Sequence, residues 1–467
     1  MIFSSLKNVL LSERSAQKTV SFSHEKTLCW SQFLADIKAL TIKLNDFHKP
    51  RLAICCDDSY LFCVAFFAAV YADKKIVLPG NYQPAMLLSL SDHFDAIIHD
   101  GLVADDFTKE QLILPLTDKQ QLTDFKFCEL DLAKIEITLF TSGSSGLPKA
   151  INKSLLMLDT EIVQLEALWG DLLGDSNIVS TVSHQHIYGL LFRVLWPLCA
   201  GRSFARNDLV YPEQILTSAN NSCTLISSPA LLKRLPEDSH GASYAAVFSS
   251  GGPLNRASAK QCNTLFNHYP FEVFGSTETG GIGYRQQSHA AMPWTFFSGI
   301  FSQLAEDNCL SLRSPWIDEK SWYQTSDQCD LLENNQFILK GRVDRIVKIE
   351  EKRISLVEVE QRLNQLEWID ESAVLLFDET HRLTLGAVIT LSEQGKKSMQ
   401  AVGKGKFWIK LRQALRLWLE PVGIPRHYRV VSELPVNTQG KLLHSEIAQL
   451  FKKQKVSKKS GADNVTT

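Results

Sequence analysis

Apolar and polar positions along this 467-residue chain follow two rhythms. Over residues 30–44 the apolar side chains recur three and four apart, the spacing of an amphipathic helix. Residues 51–56 form a short apolar run read as a buried strand, and 75–78, 96–99 and 112–114 read as further strands. Between the first two lies the most hydrophobic stretch, 60–71, bracketed by Asp57, Asp58 and Asp73. It is too short to span a bilayer and reads as a helix buried in an α/β core. Ile135, Ile137 and Leu139 alternate with Glu136 and Thr138, as in a strand; a polar turn and then a helix over 154–169 are expected after the loop that follows. Strands are read at 178–182, 223–227, 245–250 and 337–339, and a short helix at 229–235. Such alternation predicts parallel sheets covered by helices. Nearer the C-terminus, a helix at 356–366, strands at 369–377 and 383–391, and a helix at 406–419 ended by Glu420-Pro421 predict a small α+β domain. The tail from Lys452 is polar and lysine-rich and is expected to be disordered.

Composition narrows the function classes. The formal net charge is -2, without the basic excess of a general nucleic-acid binder. Ten cysteines are scattered with no C-x-x-C pair, so zinc and thioredoxin-like chemistry have little support. Free thiols suit a reducing cytoplasm, and the first residues lack the pattern of a secretory signal. A cytoplasmic protein with no membrane span is expected.

The chemistry-bearing stretch is Thr141-Ser142-Gly143-Ser144-Ser145-Gly146-Leu147-Pro148-Lys149. Hydroxyl residues and glycines in a row cannot build a core. They can build a loop whose backbone N–H groups and hydroxyls converge on one anion, with glycine permitting close approach. Lys149 adds a mobile positive charge. It is not a Walker A loop, which needs Lys-Ser/Thr directly after its second glycine, nor a dinucleotide fingerprint. Alone, such a loop is usually only a loop; other stretches raise it. His184 and His186 follow a strand, Ser250-Gly251-Gly252-Pro253 ends another, and Phe274-Gly275-Ser276-Thr277-Glu278 lies further along. Then come Tyr323-Gln324-Thr325-Ser326-Asp327, Gly341-Arg342-Val343-Asp344, and Pro435-Val436-Asn437-Thr438-Gln439-Gly440-Lys441.

Together these stretches resemble the motifs of the adenylate-forming superfamily: acyl- and aryl-CoA synthetases, peptide-synthetase adenylation domains and luciferases. Five motifs stand in the family's order between Leu139 and Lys441. The resemblance implies that Thr141, Ser142, Gly143, Ser144, Ser145, Gly146 and Lys149 hold the phosphates of ATP. It implies that Gly251, Gly252 and Pro253 let adenine lie flat against backbone while Phe274 stacks on it. Thr277 is expected at the α-phosphate, Glu278 at Mg²⁺, and His186 near the acyl carboxylate. Asp327 is expected to bind both ribose hydroxyls, which a carboxylate's two acceptor oxygens suit, and Arg342 to contact ribose or phosphate. Asp344 is implied as a hinge and Lys441 as the catalytic lysine. His184 receives no role. Ser326 stands where the family has glycine, and Glu351 replaces a glycine bordering the tunnel for the pantetheine arm.

The implied fold is a large layered α/β N-terminal domain (1–340) and a small mobile α+β lid (341–451), with 452–467 as tail. The implied reaction is ATP-dependent activation of a carboxylic acid to an acyl-adenylate with release of pyrophosphate, followed by transfer to a phosphopantetheine thiol. Amino-acid-activating relatives carry an acidic residue near 183–189; none stands here, which favours a simple acid. The stretches expected to wall the acid pocket, 181–188, 227–229 and 251–283, offer aromatics and small residues, favouring an aryl acid over a fatty acid. Compact length and Glu351 lean the acceptor toward an acyl carrier protein; a ligase using free coenzyme A is the rival. A nucleotide-binding regulator without catalysis is a rival of another class, opposed by the joint presence of Lys149, Glu278, Asp327 and Lys441.

Overall fold

The computed structural model describes the chain except residues 1–2, 102, 104–106, 117–124, 143–147, 237–241, 290, 306–307, 343–344, 350–351, 380–381, 420, 438–441, 444–445 and 452–467. Two compact units are present: Met1–Phe301 with Arg313–Tyr323, and Ser302–Leu312 with Gln324–Thr467.

In chain order the strands of the first unit are β1 (Thr19–Phe22), β2 (Thr27–Cys29), β3 (Arg51–Cys55), β4 (Lys75–Leu78), β5 (Ala96–His99), β6 (Glu110–Ile113), β7 (Glu136–Ser142), β8 (Pro148–Ser154), β9 (Asn177–Ser180), β10 (Phe204–Ala205), β11 (Cys223–Ser227), β12 (Ala246–Ser249), β13 (Phe271–Ser276), β14 (Gly280–Arg285) and β15 (Trp294–Phe296). One sheet has the order β6-β5-β3-β4-β7-β8, parallel except for β8. In the other, β15-β14-β13-β12-β11-β9-β10-β1-β2 lie side by side, parallel from β13 to β1. The antiparallel strands β2, β14 and β15 flank that parallel core. Parallel strands buried on both faces explain the mostly apolar segments at 76–78, 96–98 and 223–227.

The hydrophobic stretch is the helix Ser59–Tyr71, with Phe62, Phe66 and Phe67 fully buried. A helix apolar on every side needs cover all round. Asp58 fixes its start, accepting from the N–H groups of Tyr60 at 2.9 Å and Leu61 at 3.2 Å. The helix Leu155–Leu173 begins at the Ser154 hydroxyl, which accepts from Met157 N at 3.2 Å, and runs a turn beyond the expected end. Trp169 carries it onto the second sheet, its ring 4.9 Å from Phe248, 5.5 Å from Phe271 and 5.3 Å from Tyr284. The polar turn expected before this helix is instead strand β8. Its backbone pairs with β7 in register from Glu136↔Ser154 to Ser142↔Pro148, and Ile151 and Lys153 point inward.

In the second unit the strand Gln336–Arg342 pairs antiparallel with residues 327–332 of the strand Asp318–Leu332. That pairing is why the units do not part at the expected 340/341 position: residues 324–340 stay with their hairpin partner. Beyond it lie a hairpin of Ile346–Ile349 with Lys352–Ser355, the helix Leu356–Asn364, and a sheet of Ile369–Glu379, Arg382–Leu391 and His427–Val430. The helices Glu393–Val402 and Lys404–Leu415 complete it; Phe407, Leu411 and Leu415 join Leu363, Val374, Leu385 and Ile389 in one core.

Candidate active site

The two ends of the Thr141–Lys149 stretch lie on paired antiparallel strands, β7 and β8. Thr141 on β7 stands opposite Lys149 on β8, and Ser142 opposite Pro148. Gly143, Ser144, Ser145 and Gly146 lie outside the described residues. Lys149 projects to Glu278, with Nζ 3.3 Å from Oε1 although 129 residues separate them.

Thr277 and Glu278 occupy the turn between β13 and β14. Two features force that turn to be tight. A Cβ at Gly275 would stand 2.2 Å from the Gly280 carbonyl oxygen, and Gly280 has φ +64°. Thr279, almost fully buried, accepts from Ser276 N at 3.0 Å through its hydroxyl and donates to Gly280 O at 2.9 Å. Burial pushes the Glu278 carboxyl up, but its own backbone N–H, Lys149 and the Ser276 hydroxyl outweigh that and hold it below the usual carboxylate value. Glu278 is therefore an anion at neutral pH. A single carboxylate suits Mg²⁺, which takes one or two and completes its shell with phosphate oxygens and water. Among the described residues no three His, Cys, Asp or Glu side chains gather into a metal cluster.

The two stretches expected at adenine are tied to each other. Ser250 Oγ donates to Val273 O at 2.8 Å, joining the Gly251-Gly252-Pro253 turn to β13. Buried Glu272, on the same strand, accepts from Leu254 N at 3.3 Å and from Arg285 Nε at 3.0 Å. Arg285 lies 4.4 Å over the Trp294 ring, and Trp294 sits 5.5 Å from Phe274. A Cβ added at Gly252 would meet nothing within 4 Å, so the backbone there is open to a flat ring. Sequence reasoning did not single out Glu272, Arg285 or Trp294.

The two histidines separate by environment. His184 is buried: Nε2 donates to Cys56 O at 2.7 Å, Nδ1 lies 3.2 Å from Ser59 Oγ, and the Phe62 ring is 4.2 Å away. Burial first, then the charge of Arg193, pushes its pKa well below the ordinary histidine value. His186 stands near β7. A Cβ at Gly80 would lie 3.6 Å from His186 Cε1 and 3.4 Å from Phe140 O on β7. The sequence assigned no chemistry to the section holding Gly80, yet that section lies against His186 and β7.

In the second unit Asp327 and Arg342 face each other across a hairpin, with Nη1 3.4 Å from Oδ1. Asp327 is largely buried, and its N–H donates to Thr325 Oγ1 at 3.0 Å. Arg345, which the motif reading passed over, makes two 2.7 Å bonds to Glu360. Asp344, Glu351 and Lys441 lie outside the described residues; the flanking Val436 and Leu442 pair as an antiparallel bridge.

Two buried charges hold the backbone around the Thr277–Glu278 turn. Lys153 Nζ donates to Glu278 O at 2.6 Å and to Trp316 O at 2.9 Å. Glu161 Oε1 accepts from Gly281 N at 2.7 Å. Burial lowers the Lys153 pKa and raises that of Glu161, each opposed in part by the other's charge. Among the described residues no helix is long and apolar enough to cross a membrane.

Residues 92–295 match the family model of the AMP-binding enzymes. A putative long chain fatty acid-CoA ligase of Staphylococcus haemolyticus is 25% identical over 86% of this chain and 91% of its own length. A 4-coumarate–CoA ligase of Rhodobacter capsulatus is 24% identical over 64% of this chain and 73% of its own. A D-alanine–D-alanyl carrier protein ligase of S. haemolyticus is 22% identical over 93% and 97%. In fold, the ATP-bound MatB of Rhodopseudomonas palustris covers 97% of this chain and 99% of its own with a TM-score of 0.80, at 17% identity.

Proposed function

From the premise that this chain is an AMP-forming acid–thiol ligase of the adenylate-forming superfamily, we propose that it activates an aryl carboxylic acid and loads it onto the phosphopantetheine thiol of an acyl carrier protein. The observation that carries the adenylation step is the meeting of Lys149 and Glu278 at 3.3 Å from distant parts of the chain. A carboxylate oxygen of the acid attacks the α-phosphorus of ATP, the bond to the β-phosphate oxygen breaks, and pyrophosphate leaves. Two anions meet in that step, so charge must be taken up. Lys149 neutralises the β- and γ-phosphates, with the amides and hydroxyls of 141–146. Phe274 and the Gly251–Pro253 backbone hold adenine, Asp327 and Arg342 hold ribose, and His186 and Thr277 orient the carboxylate and the α-phosphate. Lys441 bridges the two reacting groups, a role suited to a compact charge on a flexible stem. Glu278 would hold Mg²⁺, which when bound would supply Lewis-acid stabilisation of the phosphate oxygens. In the second step a thiolate attacks the acyl carbonyl and the carbon–oxygen bond to AMP breaks.

Aromatic residues on the expected pocket stretches, Tyr188 among them, and the 4-coumarate relative support an aryl acid. The carrier-protein ligase relative, similar across nearly the whole chain, supports the macromolecular acceptor. The second reading, a ligase using free coenzyme A, is favoured by the CoA-ligase relatives. Pyrophosphate exchange across a panel of aryl and fatty acids tests the first step. Transfer of the labelled acyl group from the best acid to holo carrier protein, and not to coenzyme A, tests the second. No exchange with any acid would overturn the reading; transfer to coenzyme A alone would replace the acceptor.

A further inference from the structure

We propose that Lys153 and Glu161 are positioning residues, a buried bracket that fixes the Thr277–Glu278 turn against strand β8 and so sets the Glu278 carboxylate for the metal–ATP complex. The proposal rests on the reading of Glu278 as the metal-side carboxylate. Lys149 and Lys153 lie four apart on β8, on the same face of the strand. Lys149 meets the carboxylate of Glu278, and Lys153 meets its carbonyl at 2.6 Å. One strand thus holds both ends of one residue, and that strand directly follows the phosphate stretch. Three residues on, the turn is held again. Glu161 takes the Gly281 N–H at 2.7 Å, and the Trp316 indole donates to Gly281 O at 3.0 Å. The Glu161 carboxylate also fills the space over Gly280, where an added Cβ would stand 2.5 Å from Oε2.

Stability alone does not account for the pair. Lys153 is 4% exposed and Glu161 5%. Taking such charges out of water costs several kcal/mol per ion, and apolar residues of similar volume often serve a fold as well or better. Both stand among apolar neighbours in sequence: Ile151 shares the face of β8, and Leu158, Ile162 and Leu165 share the helix face. What an apolar side chain cannot do is hold the 278 carbonyl and the 281 N–H in fixed directions. Groups that orient a metal-binding side chain without touching the metal typically alter metal affinity about 10- to 100-fold when removed.

The test uses the full-length enzyme and reads metal binding apart from turnover. Titrating Mn²⁺ into the ATP-bound protein, followed by electron paramagnetic resonance, gives the metal affinity; ATP binding without metal is measured in parallel. Lys153→Met is expected to weaken Mn²⁺ binding at least about tenfold, to leave metal-free ATP affinity within about twofold, and to raise the Mg²⁺ needed for half-maximal pyrophosphate exchange. Lys153→Arg, which keeps charged donors, recovers part of the loss, and Glu161→Gln shifts the metal requirement in the same direction as Lys153→Met. In a Glu278→Gln background Lys153→Met adds no further loss of metal affinity. If Lys153→Met does not fold, Lys153→Arg and Glu161→Gln carry the comparison. Unchanged Mn²⁺ affinity in the folded variants, or losses that multiply in the Glu278→Gln background, overturns the bracket. Unchanged metal affinity in Glu278→Gln alone refutes the metal assignment itself, a separate result.

Discussion

Replacing Lys149 with alanine separates a structural from a catalytic role, because the two predict effects of different size. The Lys149–Glu278 pair spans 3.3 Å, with the lysine side chain 58% exposed and the glutamate 23%. A pair so open to solvent contributes about 0.2–1 kcal/mol to folding, most of its attraction being lost to water and to side-chain entropy. Its loss should lower the melting temperature by no more than about 4 °C. Catalysis asks more of the same ammonium, because pyrophosphate departs with concentrated negative charge. Removing one preorganised contact to developing charge typically costs about 2.7–4 kcal/mol, or roughly 100- to 1000-fold in kcat. Lys149→Ala should therefore melt close to the wild type yet slow ATP–pyrophosphate exchange by at least about a hundredfold, with Glu278 still in place. Scanning calorimetry and exchange on the same preparation read both numbers. Exchange within threefold of wild type, or a melting loss above about 10 °C, would refute the assignment of Lys149 to the phosphates.

Lys441→Ala should slow adenylation by about a hundredfold or more while equilibrium binding of ATP changes little; single-turnover adenylate formation and fluorescence titration with ATP check the split. Gly275→Ala places a methyl 2.2 Å from Gly280 O, so β13 and β14 must separate; a loss of about 3 kcal/mol or more in urea unfolding is expected, with Gly252→Ala, which meets open space, as the neutral control. Buried His184 has its pKa pushed well below 6.5, so the unfolded chain binds a proton that the native chain refuses. Stability therefore falls as pH drops below about 6.5, by up to about 1.4 kcal/mol per pH unit for that one group. His184→Gln removes this contribution, and the gap between wild type and variant in urea unfolding should narrow by up to about 2 kcal/mol from pH 6.5 to 5.

The strands at 75–78, 96–99 and 223–227 were legible because parallel strands covered on both faces are dominated by apolar residues. The buried helix at 59–71 was legible for a similar reason, with Asp58 marking its start. Lys153 was not singled out, because a lysine in a polar stretch ordinarily reads as solvated. The available signal was its two-residue step from Ile151, which puts it on the inward face. Glu161 hid in the same way on the apolar face of its helix, one residue before Ile162. The nearness of Gly80 to His186 and the Asp327–Arg342 pair are long-range facts of sheet order and hairpin register, which no local pattern encodes. The motif letters of the Thr-Glu turn do not show why Gly275 is needed; the reason is three-dimensional, since the Gly280 carbonyl occupies the place of a side chain there.

The backbone passes between the compact units after residues 301, 312 and 323. No single cut can release either as a continuous peptide. A fragment beginning at 324 would lack Asn308 and Leu310, whose carbonyls accept from Cys329 N at 3.2 Å and Thr325 Oγ1 at 2.9 Å. Gene fusions that exchange the C-terminal part between relatives at one joint would therefore import a hairpin stripped of its native neighbour, whereas swapping 302–312 together with the stretch from 324 keeps those bonds among residues of common origin.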